Sequence, residues 1–125
     1  ISGVGKRLKE VYKDALVYAV EPKKSPLLTE GVAGSHGIQG IGANFVPKIL
    51  NRDIIDEIIT VADEEALETA RLLGTKEGIF CGISSGANVY AALMVARKLG
   101  PGRKVVTVLP DTGERYLSTA LFKEE

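Results

Sequence analysis

The order of strand-like and helix-like stretches predicts an α/β domain: three layers, α/β/α, around a mostly parallel sheet. Two observations carry this. Short apolar runs rich in β-branched residues, "ALVYAVEP", "EIITV", "IFCGI" and "KVVTVLP", alternate with helix-length periodic segments, the pattern of a sheet covered on both faces. The chain has 125 residues, 45% of them hydrophobic, enough to bury one ordinary core in a single unit spanning residues 1–125.

Taken in order, residues 2–13 are polar with apolar positions at Val4, Leu8, Val11 and Tyr12, a helical spacing. Residues 15–22 form a strand stopped by Pro22, and residues 57–61 a second one. Asp63 reads as an N-cap, with Glu64 and Glu65 in a first turn where the helix dipole favours acids, and this helix ends near Gly78. Residues 79–83 read as a third strand, Ser84 or Ser85 starts a helix through Leu99, and "GPG" breaks the chain before the clearest strand, residues 104–110. Residues 23–52 are rich in Gly, Ser and Pro without clean periodicity, and an irregular stretch of that length suggests function. The chain shows no internal repeat and no low-complexity segment.

Composition narrows the partners. Sixteen basic and sixteen acidic residues cancel without forming blocks, so there is no electrostatic footprint for nucleic acid or an anionic membrane, and a small-molecule partner is expected. Cys81, the single cysteine, excludes an internal disulfide and a multi-cysteine metal site and fits a reducing, cytoplasmic setting. The longest uncharged run, residues 78–96, is interrupted by Ser84, Ser85, Gly86 and Asn88 and makes a poor membrane span. No metal-ligand cluster is visible. The opening "ISGVGKRLKE" is helical from its first residues with nothing ahead of it to cap it, as expected of a fragment.

In a parallel sheet the site chemistry belongs at the carboxyl ends of the strands. "EPKKSP", "GISSGA" and "LPDTGERYLST" fall there. In "GISSG" one serine can cap the helix while the glycines permit a tight bend. Two serines are one more than a cap needs, and the spare hydroxyl would face the crevice, where a hydrogen-bonding ligand could sit. "GVGKR" is a weak phosphate-loop match, because Arg7 follows Lys6 where Ser or Thr is required. His36 lies in a Gly-rich loop without Ser-His-acid spacing and reads as a satisfied or solvent-facing histidine. Cys81 reads as an inert core thiol, and Asp111 with Glu114 as a solvated pair.

Taken together, "SGVGKRLKE", "VEPKKSPLL", "HGIQGIGANFVP", "IDEIITVADEEALETARLL", "GIFCGISSGANVYAAL" and "LPDTGERYLSTALF" resemble, in that order, the carboxyl-terminal part of the cysteine synthases (O-acetylserine sulfhydrylases). The resemblance covers practically the whole chain. "GISSGA" alone is shared with the wider group of pyridoxal-phosphate enzymes related to the tryptophan synthase β chain; "GERYLST" favours the cysteine synthase branch over the cystathionine β-synthase branch.

The resemblance implies part of the large domain of a fold-type II pyridoxal-phosphate enzyme. It also implies a transferase that makes L-cysteine from O-acetyl-L-serine and sulfide by β-replacement. It assigns Ser84 to the pyridine nitrogen of pyridoxal 5'-phosphate and leaves Ser85 nearer the helix start. It places Gly40, Ile41, Gly42 and Ala43 beside the substrate, and Pro110 and Tyr116 near the ring. The helix from Ser2 is the one whose dipole would face the cofactor phosphate. The family's Schiff-base lysine, its "GTGGT" phosphate loop and its substrate-carboxylate loop are absent from this sequence. No catalytic residue is therefore assigned, and the chain alone is expected to be inactive. A homodimer is implied for the parent enzyme. The family also contacts serine acetyltransferase, but Gly37 and Asn44 depart from the usual "GPHKIQG" and "GAGF" and count against that contact here. The other readings are a cystathionine β-synthase-like β-replacing enzyme and a non-catalytic binding or scaffold domain that keeps the fold.

Overall fold

The computed structural model describes residues 1–122, so the last three residues of the 1–125 unit lie outside the described residues. The elements run α1 (Ser2–Val11), β1 (Tyr18–Pro22), β2 (Glu57–Val61), α2 (Asp63–Glu77) and α3 (Ile83–Leu99), with 3-10 turns at Arg52–Ile54 and Gly113–Tyr116. β1 and β2 pair in parallel, in register from Tyr18 opposite Glu57 to Pro22 opposite Val61. Parallel neighbours need a long connection, and the irregular residues 23–56 supply it in place of a crossover helix. The α/β class and the parallel pairing match the sequence expectation.

The core lies where β2, α2 and α3 meet. Ile59 and Val61 from β2 pack with Ala66 and Ala70 from α2 and with Ile83, Ala87, Ala91 and Val95 from α3; Ile38, Cys81, Tyr116 and Leu121 close the cluster. Small residues let the two helices come close. A Cβ at Gly86 would collide with the carbonyl oxygen of Ala66 and lie 2.8 Å from the Ala70 nitrogen, so only glycine permits this approach. A second tie is polar. The Tyr90 hydroxyl on α3 donates to Glu65 of α2 at 2.7 Å, and the other Glu65 oxygen accepts the Ala62 amide at 2.8 Å, satisfying one of the free N–H groups at the start of α2.

Several boundaries differ from the sequence reading. Ala62, not Asp63, is the N-cap of α2; Asp63 is the first helical residue, and its carboxylate packs against Gly37 and accepts Lys24 Nζ at 2.7 Å. α1 ends at Val11 rather than residue 13, and β1 is shorter than residues 15–22 because the Val17 amide is taken by Asp56 at 2.6 Å. Residues 79–83 form no strand, only a single bridge between Cys81 and Thr112. Residues 104–110 are also unpaired. Their alternation survives, with Val105 and Thr107 half-buried and Val106 and Val108 90% and 67% exposed, but a strand needs a neighbour to complete its ladder.

Asp56 joins three segments at the base of the sheet. Its carboxylate accepts Lys9 of α1 at 2.7 Å and the Val17 amide ahead of β1, and its own amide donates to the Val17 carbonyl at 2.8 Å. The Lys9 hydrogen bond, followed by that of Val17, holds its carboxyl below the ordinary value. A depressed carboxyl stabilises the fold above its unfolded value, near about 4, and loses that contribution as pH falls through the folded value. Asp56→Asn should therefore cost about 1 kcal/mol at neutral pH and flatten the acid limb of the stability curve; denaturant unfolding at pH 7 and below pH 4 measures both. An acid limb as steep as the parent's would refute it.

The exposed Val106 and Val108 edge should drive self-association. Light scattering across a wide concentration range should show species larger than a monomer, reduced by Val106→Lys with Val108→Lys. A clean monomer that unfolds cooperatively would refute it.

Candidate functional site

The carboxyl ends of β1 and β2, the loop of residues 34–44 and the first turn of α3 meet in one crevice. A Cβ on Gly42 would lie 2.6 Å from Pro22 Cγ at the end of β1, and one on Gly40 would lie 3.4 Å from Ser84 Oγ on α3. The structure thus brings the predicted Ser84 and the predicted stretch of Gly40, Ile41, Gly42 and Ala43 to one place.

Neither serine is a cap. Gly82 is the N-cap of α3, with no side-chain cap hydrogen bond; the helix begins at Ile83, with Ser84 and Ser85 as its second and third residues. This overturns both the expected start at a serine and the capping reading of the turn. The two hydroxyls have different surroundings. Ser85 is fully buried, and its Oγ lies 3.4 Å from Asp111 Oδ1 and 3.5 Å from the Asp111 carbonyl. Ser84 is 3% exposed and bonds to no described residue. The one sealed, unpartnered side-chain oxygen among the described residues is Asp63 Oδ1, so Ser84 Oγ is not sealed, and it lies on the side of the turn that faces Gly40. A buried side chain with a free, reachable hydroxyl is a ready partner for a ligand atom.

The opposing loop is held by polar ties. His36 Nδ1 accepts the Ile38 amide at 3.2 Å, so Nε2 carries the proton and donates to the Gly42 carbonyl at 2.9 Å. The ring clamps both ends of residues 38–42, which makes His36 a satisfied histidine, as the sequence suggests. Gly40 and Gly42 have φ of +99° and +63°. Asn44, where the resembling family has glycine, is the one non-glycine residue with positive φ among the described residues, at 60°; Ser25 Oγ donates to its Oδ1 at 2.9 Å. Asparagine is among the few side chains that tolerate this region, so the departure keeps the turn. Asp63 anchors the loop through Lys24. Burial works to raise its carboxyl, but the Lys24 hydrogen bond, the Gly37 amide and the Lys24 charge outweigh burial and hold it low.

Behind the serine turn lies a group the sequence reading passed over. Asp111, expected to be solvated, is half-buried; one oxygen accepts the Tyr116 hydroxyl and the other faces Ser85. Tyr116 is buried, and the hydrogen bond to Asp111, with burial and the Asp111 charge, pushes its hydroxyl pKa up. Glu114 and Pro110 are exposed. Cys81 is the expected core thiol, pushed up first by burial and then by the Asp111 charge. Lys6 of "GVGKR" is exposed within α1, away from any phosphate-loop context. No helix among the described residues is long and apolar enough to cross a membrane.

Similarity to known proteins agrees with this geometry. The family described as pyridoxal-phosphate dependent enzyme matches residues 1–111. The chain is 58% identical to cysteine synthase B of Campylobacter jejuni over 98% of its own length and 40% of the relative's. It is 52% identical to a cysteine synthase of Staphylococcus aureus over 98% of its length and 39% of the relative's. The solved structure of O-acetyl serine sulfhydrylase isoform 3 from Entamoeba histolytica superposes with a TM-score of 0.94 at 43% identity, over 100% of this chain and 38% of that one. The chain therefore spans about 40% of the length of the curated relatives it matches.

The loop geometry yields a test of its own. Gly42→Ala would place a methyl group 2.5 Å from His36 Nε2 at a backbone angle alanine resists. It should cost about 1–3 kcal/mol and expose the His36 ring, read by urea unfolding and by the ring's NMR shifts. Unchanged stability and shifts would show that the clamp does not hold the loop.

Proposed function

The chain belongs to the pyridoxal-phosphate dependent enzyme family, and from that premise we propose that it forms the carboxyl-terminal part, residues 1–125, of a cysteine synthase catalytic domain. In this reading the parent enzyme is a cytoplasmic, homodimeric transferase that joins O-acetyl-L-serine and sulfide to give L-cysteine. The chain supplies one wall of its pyridoxal 5'-phosphate site and is inactive alone. The free Ser84 hydroxyl in the crevice carries the reading.

The residues fit the group. A pyridine nitrogen needs one hydrogen-bond partner in a largely dry crevice, and Ser84 Oγ has that capacity unspent. The cofactor, when bound, withdraws electrons from the substrate amino acid. Ser84, as a neutral donor, would leave the ring nitrogen unprotonated and so moderate that withdrawal, which suits β-replacement. Gly40, Ile41, Gly42 and Ala43 form the substrate side, where the absence of a side chain at Gly40 keeps the approach to Ser84 clear and the absence of one at Gly42 lets the loop close on His36 and Pro22. Tyr116 would back the ring, and the first turn of α1, which has no side-chain cap, would offer its amides to the cofactor phosphate. The departures at Gly37 and Asn44 still count against a serine acetyltransferase contact.

Ser84 is tested in a full-length enzyme carrying this segment. Ser84→Ala removes one neutral hydrogen bond, worth about 1 kcal/mol, so cofactor should still bind while turnover falls modestly. Ser84→Asp favours a protonated ring nitrogen; it should shift the cofactor absorbance and slow β-replacement more than the alanine change. If neither substitution alters the spectrum of an enzyme that binds its cofactor, Ser84 does not hold the ring.

A further inference from the structure

We propose that Asp111 is a positioning residue for the Ser84 hydroxyl, acting through Ser85 and Tyr116. The inference rests on the assignment of Ser84 to the cofactor ring and deepens it. Its basis is the packing behind the first turn of α3. One Asp111 oxygen takes the Tyr116 hydroxyl and the other lies against Ser85 Oγ. A Cβ on Gly82, the N-cap of α3, would collide with that second oxygen and come within 2.5 Å of the Tyr116 ring. The cap thus rests directly on the Asp111–Tyr116 pair, with no side chain between.

The consequence is geometric. Ser84 and Ser85 are adjacent on one helical turn, so their side chains leave the axis about 100° apart. Fixing Ser85 toward Asp111 fixes the direction in which Ser84 leaves. No side chain caps this turn; the Gly86 approach to Ala66 sets its depth, and the contact with Asp111 holds it on the opposite side. Asp111 needs both acceptor oxygens for this. Asparagine keeps the shape but has only one acceptor, so the Tyr116 and Ser85 hydroxyls can no longer both donate to it.

The test uses the full-length enzyme with pyridoxal phosphate, comparing Asp111→Asn, Ser85→Ala and Ser84→Ala. Asp111→Asn and Ser85→Ala should shift the absorbance of the bound cofactor in the same direction as Ser84→Ala, and Asp111→Asn should weaken cofactor affinity roughly fivefold, the equivalent of one hydrogen bond. In Asp111→Asn without cofactor, ultraviolet titration should show Tyr116 ionising at lower pH than in the parent, with Tyr116→Phe identifying its signal. If Asp111→Asn lowers stability while spectrum and affinity match the parent, Asp111 is structural only and the proposal is overturned. Should Asp111→Asn fail to fold, Ser85→Ala decides: a parent-like spectrum there overturns the proposal. A spectrum altered by Ser84→Ala but by neither other variant overturns it and leaves the Ser84 assignment standing, whereas a spectrum unmoved by Ser84→Ala removes that assignment and the proposal with it.

Discussion

The absence of a side chain at position 86 is the constraint on which the rest of the structure depends. Helices α2 and α3 touch there backbone to backbone, with the Ala66 carbonyl filling the space a Cβ would need. That depth of contact explains the small residues around it: Ala66, Ala70, Ala87 and Ala91 are all nearly or fully buried. Larger side chains would part the helices and lift the first turn of α3 off β2. Because Gly86 follows Ser85 directly, the same contact fixes how far the serine turn reaches into the crevice. Packing and site are therefore one problem: the residue that seats the helix stands next to the residues that furnish the chemistry.

The two serines of the turn are separated by environment rather than by sequence. Ser85 is turned toward Asp111 and Tyr116, and Ser84 toward Gly40. An acid lies close to the crevice, but a buried hydroxyl and a turn of helix stand between it and the space in front of Ser84. In the proposed role this order matters, because a carboxylate in direct contact with the ring nitrogen would favour its protonated form, whereas a hydroxyl would leave it neutral. The arrangement keeps the charge near enough to fix the turn and too far back to replace Ser84.

The sequence showed the elements whose signal is local. α2 and α3 were legible from their period, and β1 and β2 from short β-branched runs closed by Pro22 and Asp63. Residues 104–110 carry the same signal as β2, yet form no strand, because pairing is a property of two segments and the alternation of Val105 to Val108 reports only one. The chain covers about 40% of the length of its relatives, and nothing in the segment itself says whether its neighbour is present. The cap positions were misread for a related reason. Asp63 and Ser84 are good capping residues, but Lys24 and Gly37 take the first and the depth of the α2–α3 contact draws the second inward, both through partners distant in sequence. Asp111 was missed because its partners, Ser85 and Tyr116, carry no motif that links them. Its one sequence signal was its place directly after "VVTVLP", at the end of a predicted strand, where site residues of a parallel sheet gather.

The two sides of the crevice are held by different forces, and this bears on how each can respond. The serine side is part of the apolar core, seated by close-packed helices. The loop side depends on hydrogen bonds. Glu21, 4% exposed, accepts the Leu28 and Thr29 amides and the Thr29 hydroxyl. Ser25, 1% exposed, accepts the Gly34 amide and donates to Asn44. His36 and the Lys24–Asp63 pair complete the set. Of residues 31–46, only Ile38 is buried in the core. Segments with few apolar contacts and exposed backbone open at lower free energy than packed elements do. One wall is thus rigid and the facing wall is fastened at a few polar points, with Ile38 as a single apolar anchor beside Gly40. For a site that must hold a ring in a fixed orientation while admitting and releasing small molecules past it, that division of stiffness places the fixed partner on the helix and the adjustable one on the loop.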